Sequence, residues 1–127
     1  RLAPYLQLVL PQARLVLGED LAPQALERAA SAEDLARLSD GTQEQLALLV
    51  RLAFARLLAD NGAPAPLILD DALVYADDGR IMRMFSALQH AAQSHQVLVL
   101  TCRERAFEGL SGHRIALRTW EDARAAA

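Results

Sequence analysis

Residues 60–66, Asp-Asn-Gly-Ala-Pro-Ala-Pro, bring a Gly and two Pro together, so they stop a helix and restart the chain in an extended form. On one side lies 42–59, a Leu- and Ala-rich stretch without Gly or Pro and with few charges, which reads as a largely buried helix. On the other side, 66–71 is a short apolar run that closes on two acids, the pattern of a buried strand with a polar end. A helix feeding a buried strand through one tight break points to an α/β arrangement.

The rest of the chain extends that pattern. Residues 79–94 space Ile81, Met84, Phe85 and Leu88 at three- and four-residue intervals, as in a helix that lays one face on a sheet. Residues 96–101 form a second β-branched run, and 113–118 a third, shorter one. The two apolar runs on either side of the second helix are expected to pair in parallel, joined by that helix as a crossover. Upstream, 14–17 reads as a strand and 18–20 as a turn. Residues 23–30 read as strand or helix by propensity and are assigned to a hairpin with 14–17. The first seventeen residues are apolar but interrupted by Pro4 and Pro11, and they lack the layout of a secretion signal. Residues 120–127 read as a frayed terminal helix.

Composition removes several classes of function. The 127 residues fit a single domain, and 53% hydrophobic with 23% charged residues is too apolar for a disordered chain. No unbroken apolar run has the length of a membrane span. All 13 basic residues are Arg, so a phosphate-binding GxxxxGK[ST] loop is excluded within this chain. A net charge of −3 supplies no broad basic footprint for nucleic acid. The single cysteine, Cys102, forms no internal disulfide, which suits a reducing compartment, and the cytoplasm is the expected location. Without an initiating Met, the chain is expected to be cut from a longer one.

Two places carry chemistry. Leu38-Ser39-Asp40-Gly41-Thr42 stands where the long helix begins, with free backbone N–H groups and the positive helix end available to an anion. Ser39 adds a hydroxyl, and Gly41 permits close backbone approach. Read alone, Ser39 or Asp40 is an ordinary helix cap. Asp70 and Asp71 end the strand 66–71 at the edge where ligands of open α/β sheets bind. One carboxylate there suits a Mg²⁺–nucleotide and its neighbour suits an attacking water. His90, His95 and His113 have no metal-ligand spacing and read as surface polar residues. Cys102 reads as a small buried residue, and Met82, Met84 and Phe85 as core packing. Asp77-Asp78-Gly79 alone is a turn and helix cap.

Taken together these residues resemble the ABC-type ATPase heads of the SMC and double-strand-break-repair class. Leu38-Ser39-Asp40-Gly41 is similar to the signature motif, residues 67–71 to Walker B, and Asp77, six residues after Asp71, falls at the D-loop aspartate. Arg51-Leu52-Ala53 resembles the Arg-Leu-Ala of chromosome and repair ATPases and makes Arg51 a candidate for coupling the signature turn to the head. Thr42-Gln43-Glu44-Gln45 points the same way.

The resemblance covers about residues 34–118. It implies the C-terminal lobe of a P-loop NTPase: a mostly parallel sheet with flanking helices and an N-terminal hairpin. It further implies a nucleotide contacted by 38–42, Mg²⁺ held by Asp70, and catalytic roles for Asp71 and Asp77. Cys102 occupies the switch-histidine position, where it supplies no imidazole, with Arg103 beside it as a substitute. Asp71 replaces the usual Glu and is one methylene shorter, so turnover is expected to be slow. The phosphate loop and the Q-loop are absent. The implied partners are the missing N-terminal lobe, a second head joined through ATP, and DNA by resemblance alone. A non-catalytic interaction module or degenerate head is the alternative, and a transporter subunit is third.

Overall fold

The computed structural model describes residues 1–20, 22–28, 31–73 and 75–117. The chain opens with a helix, α1 (Leu2–Val9). Pro4 sits in its first turn, where a missing N–H costs no internal hydrogen bond, so only Pro11 acts as a stop. Tyr5, Leu6 and Val9 turn inward.

The expected hairpin is present and acquires a third strand. Strands β1 (Ala13–Leu17), β2 (Pro23–Arg28) and β3 (Ser31–Asp34) form an antiparallel meander, with Leu15 opposite Leu26 and Leu26 opposite Glu33. Its inner face is narrow: Leu26 is fully buried, whereas all of β3 is exposed. A 3₁₀ turn, Leu35–Arg37, capped by the Asp34 carboxylate accepting from the Ala36 amide, leads into the long helix α2 (Asp40–Asp60). This helix starts two residues earlier than its apolar run. It stops at Asn61 and Gly62, where Gly62 adopts φ +78°.

Strand β4 (Leu67–Asp70), helix α3 (Asp78–Ala92) and strand β5 (Val97–Leu100) form the expected crossover unit. The two strands are parallel, with Leu67 opposite Val97 and Asp70 opposite Leu100. A mostly parallel sheet, however, is not what the described residues build. They form two separate sheets, one antiparallel of three strands and one parallel of two. Each parallel neighbour requires its own crossover, and there is one strand–helix–strand unit here, so one parallel pair results. The expected strand at 113–118 is absent: residues 113–117 are irregular and exposed, and no described strand lies against them, while Arg118 falls outside the described residues. The helix expected at 120–127 also falls outside them.

One core joins α1, α2, α3 and β4. Leu46, Leu49 and Leu52 of α2 meet Tyr5 and Val9 of α1, Leu69 of β4, and Ile81, Met84 and Leu88 of α3. Met84 and Phe85 are core residues as expected, but Met82 is 65% exposed, because one step along a helix turns a side chain about 100° off the buried stripe. The alternation along the parallel pair has a different consequence. Leu67, Leu69, Val97 and Val99 pack inward, while Ile68, Leu98 and Leu100 stand exposed together on the opposite face.

Candidate functional site

The acid-ended strand delivers Asp70 and Asp71 to the C-terminal edge of the parallel pair, both exposed. The Asp71 amide donates to the Leu100 carbonyl at 2.9 Å, carrying the pairing one residue beyond β4. Its Oδ1 accepts from the Cys102 amide at 3.3 Å, so the acid and residue 102 meet through backbone rather than through the thiol. Cys102 itself is exposed, not buried, because it lies past the end of β5 in the loop. Asp71 and Leu73 have φ of 43° and 66°, a conformation that side chains other than glycine rarely hold. Leu73 is anchored in the core, and such strain persists where surrounding contacts over-determine it.

Those contacts come from Arg103. Its Nη1 donates to the carbonyls of Leu73 and Ala76 at 3.0 and 3.4 Å, and its Nη2 lies 3.3 Å from Asp78 Oδ1. Arg103 therefore holds the connection between β4 and α3. An open depression of about 540 Å³ lies beside it, lined by Asp78, Thr101, Cys102 and residues 103–106.

The signature-like turn is fastened to the same connection. Ser39 is the N-cap of α2, but its hydroxyl bonds Thr42 Oγ1 at 2.9 Å instead of a backbone amide. Arg80 Nη1 donates to Ser39 Oγ at 3.2 Å and to Thr42 Oγ1 at 2.9 Å. Asp77 caps α3 by accepting from the Arg80 amide at 2.8 Å, and its second oxygen lies 3.2 Å from Arg80 Nε. Gln45 donates to the Arg80 carbonyl, and Glu44 accepts from the Tyr75 amide. At Gly41, a Cβ would stand 2.8 Å from the Tyr75 carbonyl oxygen and 3.0 Å from Arg80 Nη1. The close approach that Gly41 permits is thus used, in this chain, by the connection leading to Asp77.

The structure brings 39–42 together with Asp77, and Asp71 together with the Cys102 backbone. Among the described residues no hydrogen bond or ion pair joins 38–42 to Asp70 or Asp71. Within the turn, Ser39 and Asp40 are exposed, while Leu38, Gly41 and Thr42 are buried. Arg51 points outward from α2. The residue that sequence reasoning passed over is Arg80. The signal for it is an Asp followed three positions later by an Arg at a helix start, a spacing at which the side chains meet.

Among the described residues no group of three or more His, Cys, Asp or Glu forms a metal cage. Mg²⁺ bound with a nucleotide needs only one or two carboxylates, its other positions being filled by phosphate oxygens and water, and the exposed Asp70 carboxylate fits that role. The histidines differ from expectation. His95 is buried, with Nδ1 3.1 Å from Ser94 Oγ and Nε2 without a partner. Burial, aided by Arg56, lowers its pKa. A side chain just past a helix end tucks back against the core that the helix covers, which spacing alone does not show. His90 is half-buried and meets Tyr5 edge-on, with ring centres 5.4 Å apart; His113 is exposed.

No protein-family model matches the chain. Uncharacterized proteins of Mycobacterium tuberculosis and Mycobacterium bovis are 42% identical to it over 81 residues, a stretch covering 63% of this chain. That stretch is 9% of each relative's length, so the chain spans a small part of the curated relatives it matches. Among described residues no helix is long and apolar enough to cross a membrane. The fold is similar to that of a solved SMC ATPase chain from work on ATP-driven dimerization and DNA-stimulated activation. That match covers 97% of this chain and 84% of the other, with a TM-score of 0.65 and 17% identity. The described architecture resembles an SMC ATPase head.

Proposed function

We propose that this chain is the C-terminal part of an SMC-like ATPase head, contributing a signature turn and a pair of carboxylates to an ATP site completed by other lobes. One observation carries this reading: the turn at the start of α2 is locked by Arg80 to the connection leaving the acid-ended strand, within an SMC-like fold. The bare face of Ile68, Leu98 and Leu100 supports it, since a parallel pair is normally covered on both sides and an N-terminal lobe would supply the second cover.

In this reading Asp70 holds Mg²⁺, which neutralises phosphate charge when bound. Asp71 keeps one oxygen on the Cys102 amide and turns the other to the attacking water. Ser39 faces the triphosphate of a second head, and ATP joins the two heads. By the same resemblance the head serves DNA repair or chromosome maintenance in the cytoplasm, with DNA as a partner. Lacking the phosphate loop, the chain alone hydrolyses no ATP.

The test joins this chain to its N-terminal lobe and measures ATP hydrolysis. Asp71→Asn and Ser39→Arg are each expected to lower kcat by about 100-fold or more, the usual loss on removing a group that acts on the reacting atoms. Unchanged turnover in both variants refutes the reading in favour of a non-catalytic docking module.

A further inference from the structure

The hydroxyl pair at the start of α2 has a proton count that fixes its polarity. A hydroxyl carries one proton and accepts at two positions. Arg80 donates to both Ser39 Oγ and Thr42 Oγ1, and one more proton lies between those two oxygens. One of the two hydroxyl protons is left over. Were Ser39 to donate to Thr42, the leftover proton would sit on Thr42, which is 7% exposed, as a buried donor without an acceptor. Thr42 therefore donates to Ser39, whose acceptor positions are then filled by Thr42 and Arg80. The free proton is on Ser39, which is exposed.

We infer that Arg80 is a positioning residue of the signature turn: by filling the acceptor positions of Ser39 it leaves that hydroxyl a donor only, matched to an anionic phosphate oxygen. The inference rests on the reading of 38–42 as a nucleotide-facing turn, and it adds how the turn selects its ligand. An oxygen that accepts only, such as that of a phosphate, is favoured; a ligand group that donates finds no acceptor at Ser39. Asp77 contributes by holding the guanidinium from the other side, with its carboxylate on both the Arg80 amide and Nε. The positive charge so fixed also polarises the Ser39 proton outward.

The test uses the complete head and reads ATP-analogue-dependent dimerisation by sedimentation, together with kcat and KM for ATP. Arg80→Ala is expected to weaken dimerisation about tenfold, the size of one charge-assisted hydrogen bond, and Arg80→Lys to recover most of that loss. On a Ser39→Ala background the same Arg80→Ala change is expected to have less than about a twofold effect, because both act through one hydroxyl. An equal loss on the two backgrounds overturns the inference, since Arg80 would then act on the general fold. If Arg80→Ala fails to fold, Arg80→Met, which keeps the stem but donates nothing, replaces it in the same cycle and is judged by the same criterion. Asp71→Asn separates the two levels of argument. If it abolishes turnover while Arg80 variants dimerise normally, the inference fails and the ATPase reading stands. If turnover ignores Asp71→Asn, the ATPase reading fails and the inference fails with it.

Discussion

Gly41→Ala measures how tightly the turn at the start of α2 is fitted to the connection that follows β4. In an ordinary first helical turn this change stabilises by about 0.5–1 kcal/mol, because Ala loses less conformational freedom than Gly. Here the new methyl would lie 2.8 Å from the Tyr75 carbonyl oxygen and 3.0 Å from Arg80 Nη1, well inside normal contact. The carbonyl belongs to backbone held by Glu44 at the Tyr75 amide and by Arg103 at the Ala76 carbonyl, so it yields poorly. Overpacking of this kind costs about 1–3 kcal/mol, and displacing Arg80 from Ser39 and Thr42 adds about 1 kcal/mol for partly exposed bonds. The net expectation is a loss of about 1–3.5 kcal/mol. With a urea slope of about 2 kcal/mol/M this lowers the unfolding midpoint by about 0.5–1.7 M. Gly79→Ala serves as the control, since its methyl would meet only side-chain atoms, the Asp77 carboxylate at 3.3 Å and Arg83 Nη1 at 3.9 Å. A midpoint for Gly41→Ala equal to or above that of the unmodified chain refutes the claim that the two segments are interlocked.

Removing the guanidinium in Arg103→Ala is expected to speed hydrogen exchange at the Tyr75 and Ala76 amides by about tenfold or more while leaving α2 unaffected; unchanged protection there would show that the strained connection holds itself. Tyr5→Phe deletes a buried hydroxyl without a partner, so thermal unfolding should be unchanged or shifted up by about 1 kcal/mol, and a loss larger than that would reveal a partner for the oxygen. His95 is held with a lowered pKa by burial and by Arg56, so the unfolded chain binds the proton more readily than the folded one. Its contribution is complete above the unfolded value of about 6.5 and declines as pH falls from there toward the lower folded value. Urea midpoints from pH 8 to pH 5 should therefore fall less steeply for His95→Gln than for the unmodified chain, and identical slopes would remove His95 as the cause.

Much of the framework was legible because local rules decide it. The break at 60–66, the apolar spacing of α3 and the crossover pair β4–β5 follow from backbone limits and side-chain periodicity, which act within a few residues. The placement of the residues proposed to carry chemistry was legible for the same reason: Ser39 caps a helix and Asp70 ends a strand wherever those elements begin and end. Pairing is less local. The run at 113–118 has strand-like residues, but a strand exists only beside another, and no described strand accepts residues 113–117.

By itself, the order of residues determined that no phosphate loop with a Lys exists in this chain, that a helix precedes an acid-ended strand, and where each acid stands along the backbone. Folding alone decided that Gly41 faces the Tyr75 carbonyl, that Arg80 lies across Ser39 and Thr42, and that His95 is enclosed while Cys102 is not. The reason is distance along the chain. Arg80 is 41 residues from Ser39, and only the packing of α2 and α3 onto one core brings them within hydrogen-bonding reach.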